Sequence, residues 1–167
     1  YSLHVRGFTM HSSSRVKHKG TFLGVREKLP YLKELGINQI QCMPVYEFQE
    51  DMGSYRNYWG YGTGYYFAPK AAYAAFDDAQ TELKDLVKAC HKAGIEVVLE
   101  MPFTEKILPQ TVLECLRFYL LEYHVDGFVM NPYNVPWDSL NADLKGSKDL
   151  QKRRGLPEQY AQVFKGR

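Results

Sequence analysis

Residues 82–99 read ELKDLVKACHKAGIEVVL, and this run decides the fold. Leu83, Leu86, Val87 and Cys90 recur at three- and four-residue spacing, the apolar stripe of an amphipathic helix. Gly94 follows the last periodic turn, where a left-handed residue closes a helix. Ile95 to Leu99 is then a β-branched run, apolar on both faces, the pattern of a buried parallel strand.

The same helix-then-strand alternation extends outward in both directions. Upstream, Leu3-His4-Val5 opens as a strand, and a helix from about Thr21 carries Val25, Leu29, Leu32 and Leu35 before Gly36 ends it. Ile37 to Met43 is a second strand, and Asp78 or Thr81 is placed to cap the helix that follows. Downstream, Pro109 suits a first helical turn, with Val112, Leu116, Tyr119 and Tyr123 on its apolar face, and Val125 to Met130 makes a fourth strand. The order β-α-β-α-β-α-β predicts an α/β fold with parallel strands and right-handed crossovers. It fits an open doubly wound sheet or part of an eight-stranded barrel. A whole barrel needs about 250 residues, so this chain has room for roughly half. Pro44 to Asp77 reads as one long loop, dense in Gly and aromatics, and loops of such length are usually functional.

Composition narrows the chemistry. The 167 residues are 45% apolar and 24% charged with a net charge of +2, both signs interspersed, which gives no case for nucleic-acid binding. Lys152-Arg153-Arg154 is the sole basic cluster and reads as a solvated helix face. No apolar run is long enough to span a bilayer. Three cysteines, Cys42, Cys90 and Cys115, sit in apolar surroundings and read as free thiols, which suits a reducing, cytoplasmic setting. Of the 13 Tyr, 9 Phe and 2 Trp, many crowd into YRNYWGYGTGYYF at 55–67.

The local strings choose between barrel and open sheet. YSLHVRGFT at 1–9, LGINQIQCMPVYEF at 35–48, NYWGYGTGYYFAPKAAYA at 57–74, ELKDLVKACHKAGIEVVLEMPF at 82–103 and YHVDGF at 123–128 resemble, in order, the first strands and loops of the isoamylase, pullulanase and branching-enzyme group of the α-amylase superfamily, glycoside hydrolase family 13. The resemblance implies a partial (β/α)8 TIM barrel of about four βα units over residues 1–131. Residues 132–167 are expected to be a polar, partly helical tail, and they match nothing in the family.

The resemblance also implies a site, and the site is altered. Retaining glycosidases set a nucleophilic and an acidic carboxyl about 5–5.5 Å apart. The family's nucleophile is the Asp of a G-F-R-F-D run. Here that run is Gly127-Phe128-Val129-Met130-Asn131, with Asn131 at the nucleophile position and Val129 at the arginine. An amide has no anionic oxygen with which to bond an anomeric carbon. The family's D-V-V-F-N-H becomes Glu100-Met101-Pro102-Phe103-Thr104-Glu105, with Glu100 one methylene longer than Asp and Glu105 replacing His. The general acid belongs to a later strand without a counterpart here. The connection from Phe103 to about Pro109 is short where relatives carry a long excursion that walls the cleft.

These substitutions predict a catalytically degenerate half-barrel linked to α-glucan metabolism. Tyr61 stands where the family places a tyrosine under a sugar ring, so Tyr61, Trp59 and Tyr58 are the candidate residues for binding an α-glucan oligosaccharide; alternatively they pack the barrel mouth. Exposed sheet edges predict a homodimer or a barrel-completing partner. Two other readings stand beside this one: a piece of an active hydrolase or transglycosylase, and an interaction scaffold without sugar affinity. His4 is expected to be a satisfied strand histidine. His11 and His18 lack a third ligand, so neither a metal nor any other cofactor is expected.

Overall fold

A parallel sheet with helices on one face carries the aromatic segment at the carboxyl ends of its strands. The computed structural model describes residues 1–103 and 107–130. The tail 132–167, Asn131, Thr104 and Glu105 lie outside the described residues.

Four strands, β1 (Ser2–Leu3), β2 (Gln39–Cys42), β5 (Glu96–Glu100) and β6 (Gly127–Val129), lie side by side in that order. All three pairings are parallel. Between β2 and β5 in the chain, β3 (Tyr46–Phe48) and β4 (Gly64–Pro69) form a separate antiparallel pair. The helices are α1 (Val5–Met10), α2 (Phe22–Glu27), α3 (Leu29–Glu34), α4 (Ala79–Lys92) and α5 (Pro109–Phe118). This is the expected partial barrel, and among the described residues β1 and β6 are its edges.

Register explains where the core sits. Leu3, Cys42, Leu99 and Phe128 are successive partners across the sheet, a buried row. Ile40 and Val97 extend the same face, against Val25, Leu32, Leu83, Leu86, Val87 and Cys90. Each buried Leu, Val or Ile contributes about 1.5–3 kcal/mol of transfer free energy. The opposite face is different. Successive residues of a strand point to opposite sides, so Gln39, Gln41, Glu96, Val98, Glu100 and Val129 share the face that helices do not cover. The third strand is therefore not apolar on both faces as its sequence suggested: Glu96 and Glu100 line the second.

Four further expectations need correction. The first strand does not run through Val5. His4 leaves it, and its Nδ1 accepts the Gly7 N–H at 2.9 Å, which starts α1. The helix expected from Thr21 to Leu35 is two, α2 and α3, joined at Lys28. Pro30, in the first turn of α3, has no N–H for the Arg26 carbonyl, so a continuous helix would lose that bond. Residues 44–77 are not wholly loop, since β3, β4 and a 3-10 turn at Ala71–Tyr73 lie within them. Finally, α5 stops at Phe118 and widens into a π turn over Tyr119–Tyr123, which still buries both tyrosines. The second and fourth strands are shorter than expected, Gln39–Cys42 and Gly127–Val129, while the helix ends follow the sequence: Thr21 caps α2, Asp78 caps α4, and Gly36 and Gly94 take positive φ after their helices.

Candidate functional site

The carboxyl ends of the strands are where barrel enzymes place reacting groups, and here they gather His4, Gln41, Glu100 and Val129 beside the aromatic segment. Glu100, the last residue of β5, is buried, and both its oxygens are engaged. Gln41 donates to Oε1 at 2.6 Å and Tyr61 donates its hydroxyl to Oε2 at 2.6 Å. Burial, with Glu100 acting in the same direction, pushes the Tyr61 hydroxyl up to about 12, so it stays a donor at neutral pH.

Val129 is the register partner of Glu100 across β5 and β6. Its side chain is half-exposed and brings neither charge nor hydrogen bond to that carboxylate.

The aromatic segment is held from several directions. The ring of Tyr58 stacks on His4 with centroids 4.5 Å apart and planes 16° apart, and Trp59 stands edge-on to Tyr58 at 5.3 Å. Asn57 Oδ1 accepts the Gly60 N–H and its Nδ2 donates to the Tyr61 carbonyl, closing a tight turn. Tyr46, on β3, donates its hydroxyl to the Gly60 carbonyl at 2.9 Å. Gly60 has φ +83°, and a Cβ there would collide with the Phe48 ring. Within this frame Tyr58 is half-buried, while Trp59 is 53% and Tyr61 44% exposed, so two aromatic surfaces stay open to solvent.

Beneath the segment lies a charged clamp. Arg6 forms a fork with Glu50 at 3.0 and 2.8 Å, Arg56 adds a bond at 2.9 Å, and Lys70, itself buried, reaches Glu47 at 2.6 Å and the Phe48 carbonyl at 2.8 Å. The Arg6 hydrogen bond is the chief reason the Glu50 carboxyl is held at about 2.

The structure thus brings Glu100, Tyr61 and Val129 to one place, with Tyr58 and Trp59 on the same segment; Asn131 and Glu105 lie outside the described residues. His11 pairs with Ser13 and His18 with Glu27, and no group of His, Cys, Asp and Glu among the described residues is placed to hold a metal. No helix of the described residues is long and apolar enough to cross a membrane. Sequence reasoning missed Gln41 and Glu50. The signal for Gln41 was present in QIQC at 39–42, whose polar residues at every second position mark a strand with one wet face.

Parallel strands, crossover helices and a polar cluster at the strand ends define a segment of a barrel-type α/β domain. The comparisons make that specific: residues 8–105 match the family model described as alpha amylase, catalytic domain, and the chain belongs to that family. It is 34% identical to chloroplastic isoamylase 1 of Arabidopsis thaliana, over 87% of this chain and 27% of that protein. It is 40% identical to the glycogen debranching enzyme of Dickeya chrysanthemi, over 62% of this chain and 17% of that protein. Among solved structures, a pullulanase from Paenibacillus barengoltzii in complex with maltohexaose and alpha-cyclodextrin superposes with a TM-score of 0.72 at 19% identity, covering 87% of this chain and 33% of the pullulanase. The chain spans about a quarter of the length of the chloroplastic isoamylases it matches.

Proposed function

We propose that this segment supplies the sugar-gripping wall of an α-glucan site, of the kind found in starch- and glycogen-debranching proteins, and not the attacking group of a hydrolase. One observation carries the reading: Glu100, the acidic side chain at the end of β5, accepts one hydrogen bond on each oxygen, from Gln41 and from Tyr61, and has Val129 as its register partner. A carboxylate so engaged orients an aromatic residue. Asn131 at the nucleophile position agrees with this. The tethered yet exposed Tyr61 and the neighbouring Trp59 provide flat surfaces on which a pyranose ring stacks. The names of the relatives, isoamylase and glycogen debranching enzyme, support an α-glucan as the ligand. The three buried free thiols support a reducing compartment. The barrel-completing element, joined covalently or as a second chain, belongs against the edges β1 and β6.

The coverage of only a quarter of the isoamylases favours a second reading, in which the full-length protein is an active enzyme with its reacting groups elsewhere in the chain. Titration of the full-length protein with maltohexaose, followed by a reducing-end assay on a branched α-glucan, separates the readings. Binding in the millimolar range or tighter without new reducing ends is expected. Steady release of reducing ends supports the second reading, and absence of binding leaves a scaffold without sugar affinity.

A further inference from the structure

We propose that His4 is the positioning residue of the glucan site: one imidazole, at the end of the first strand, sets both the backbone and the ring orientation of the aromatic segment that holds the sugar. This rests on the glucan-binding reading above. The geometry assigns each ring atom a task. Nδ1 accepts the Gly7 N–H at 2.9 Å and therefore carries no proton. The proton is on Nε2, which donates to the Tyr58 carbonyl at 2.9 Å, across 54 residues of chain. The Tyr73 hydroxyl oxygen, 3.1 Å from the same nitrogen, shares it. The ring face lies under Tyr58, and Trp59 meets it edge-on at 5.6 Å.

Two independent features fit this task. The position of a Cβ on Gly7 would be 3.3 Å from the Tyr58 hydroxyl, so glycine at 7 leaves room for Tyr58 to lie across the start of α1. Tyr61, three residues on, is fixed at its far end by Glu100 on β5. The segment is thus stapled just after β1 and at β5, with Trp59 exposed between the staples and the Tyr61 ring exposed at the second. Loss of the first staple frees Tyr58 and Trp59 while Tyr61 stays tethered.

The arrangement requires neutral imidazole. A second proton would sit on Nδ1, facing the Gly7 N–H, and break the cap. Tyr58, Trp59 and Tyr73 face the ring, Arg6 and Glu50 act on it from nearby with opposite signs, and burial is the main reason its basicity is lowered.

Two variants of the full-length protein divide the roles of the ring. His4→Asn keeps an oxygen where Nδ1 caps Gly7 but cannot reach Tyr58 or stack on it. His4→Gln extends an amide toward the Tyr58 carbonyl and gives up the cap. Maltohexaose affinity and ligand-free hydrogen exchange of the peptide 57–62 are read in both. His4→Asn is expected to weaken binding about tenfold, the size of one well-placed hydrogen bond, and to speed exchange across 57–62. His4→Gln is expected to retain more of both despite losing the cap. The opposite order, or exchange unchanged in both, overturns the proposal. If the unmodified protein binds no maltohexaose, the glucan reading fails, and the exchange comparison alone still decides whether His4 positions the segment.

Discussion

Tyr61 and Glu100, 39 residues apart in the chain, are joined by a hydroxyl-to-carboxylate hydrogen bond of 2.6 Å that ties the aromatic segment to the end of β5. The bond divides the tyrosine into two functions, a tethered hydroxyl and an exposed ring. Tyr61→Phe keeps the ring and removes the tether, and is expected to weaken maltohexaose binding by a few fold and stability by about 1 kcal/mol. Tyr61→Ala removes the stacking surface as well and is expected to lower affinity at least tenfold by calorimetric titration. Equal affinity in both variants would mean that the ring does not touch sugar.

Acid should loosen the clamp under that segment. Glu50, held at about 2 chiefly by the Arg6 hydrogen bond, has its folded-state value below the ordinary carboxylate value of about 4.3. Its stabilising contribution is therefore full above about pH 4.3 and is lost as pH falls through that window toward about 2. Denaturant midpoints measured from pH 6 down to about 2.5 should fall more steeply for the natural protein than for Glu50→Gln. Parallel curves would show that the clamp does not contribute.

Gly60 tests the packing of the turn. A methyl group there meets the Phe48 ring, and φ +83° is unfavourable for any L side chain. Gly60→Ala is expected to cost about 1–3 kcal/mol in chemical denaturation and to raise proteolysis between residues 55 and 64. A neutral result would show that the turn adapts without cost.

The thiols should be silent until the protein unfolds. Cys42, Cys90 and Cys115 are buried, and burial pushes Cys90 and Cys115 each up to about 12 and Cys42 higher still. Labelling with a maleimide at pH 7.5 should leave these three unmodified in native protein and modify all three in denaturant. Rapid native labelling of any of them would place it at the surface.

How much of this could be read from the residues depended on what faced what. ELKDLVKACHKAGIEVVL announced α4 and β5 because one face of each is uniformly apolar and Gly94 punctuates the join. The β3–β4 pair escaped because Tyr65 and Phe67 are exposed aromatics, so β4 shows no apolar–polar alternation, and a register shift at Tyr46 and Glu47 interrupts the pairing. The break between α2 and α3 was written in Pro30. At the site, Glu100, Tyr61 and Val129 were identifiable by their place in the strings. Their mutual geometry was not, because a bond between residues 61 and 100 depends on how the aromatic segment folds back over β5. Gln41 and His4 were hidden for a plainer reason: a polar residue in or just after a short strand does not declare which distant partner it meets.

The most direct test of the central claim is covalent trapping. The full-length protein is incubated with a slow fluorinated α-glucosyl or α-maltosyl donor, the class of reagent that leaves a retaining glycosidase bonded to sugar through its nucleophile, and is then digested and mapped by mass. No glycosyl adduct is expected on residues 1–167, with Asn131 and Glu100 both unmodified. A sugar bonded to either of them, or to any other side chain of this segment, would contradict the reading of the segment as a wall that grips and does not attack.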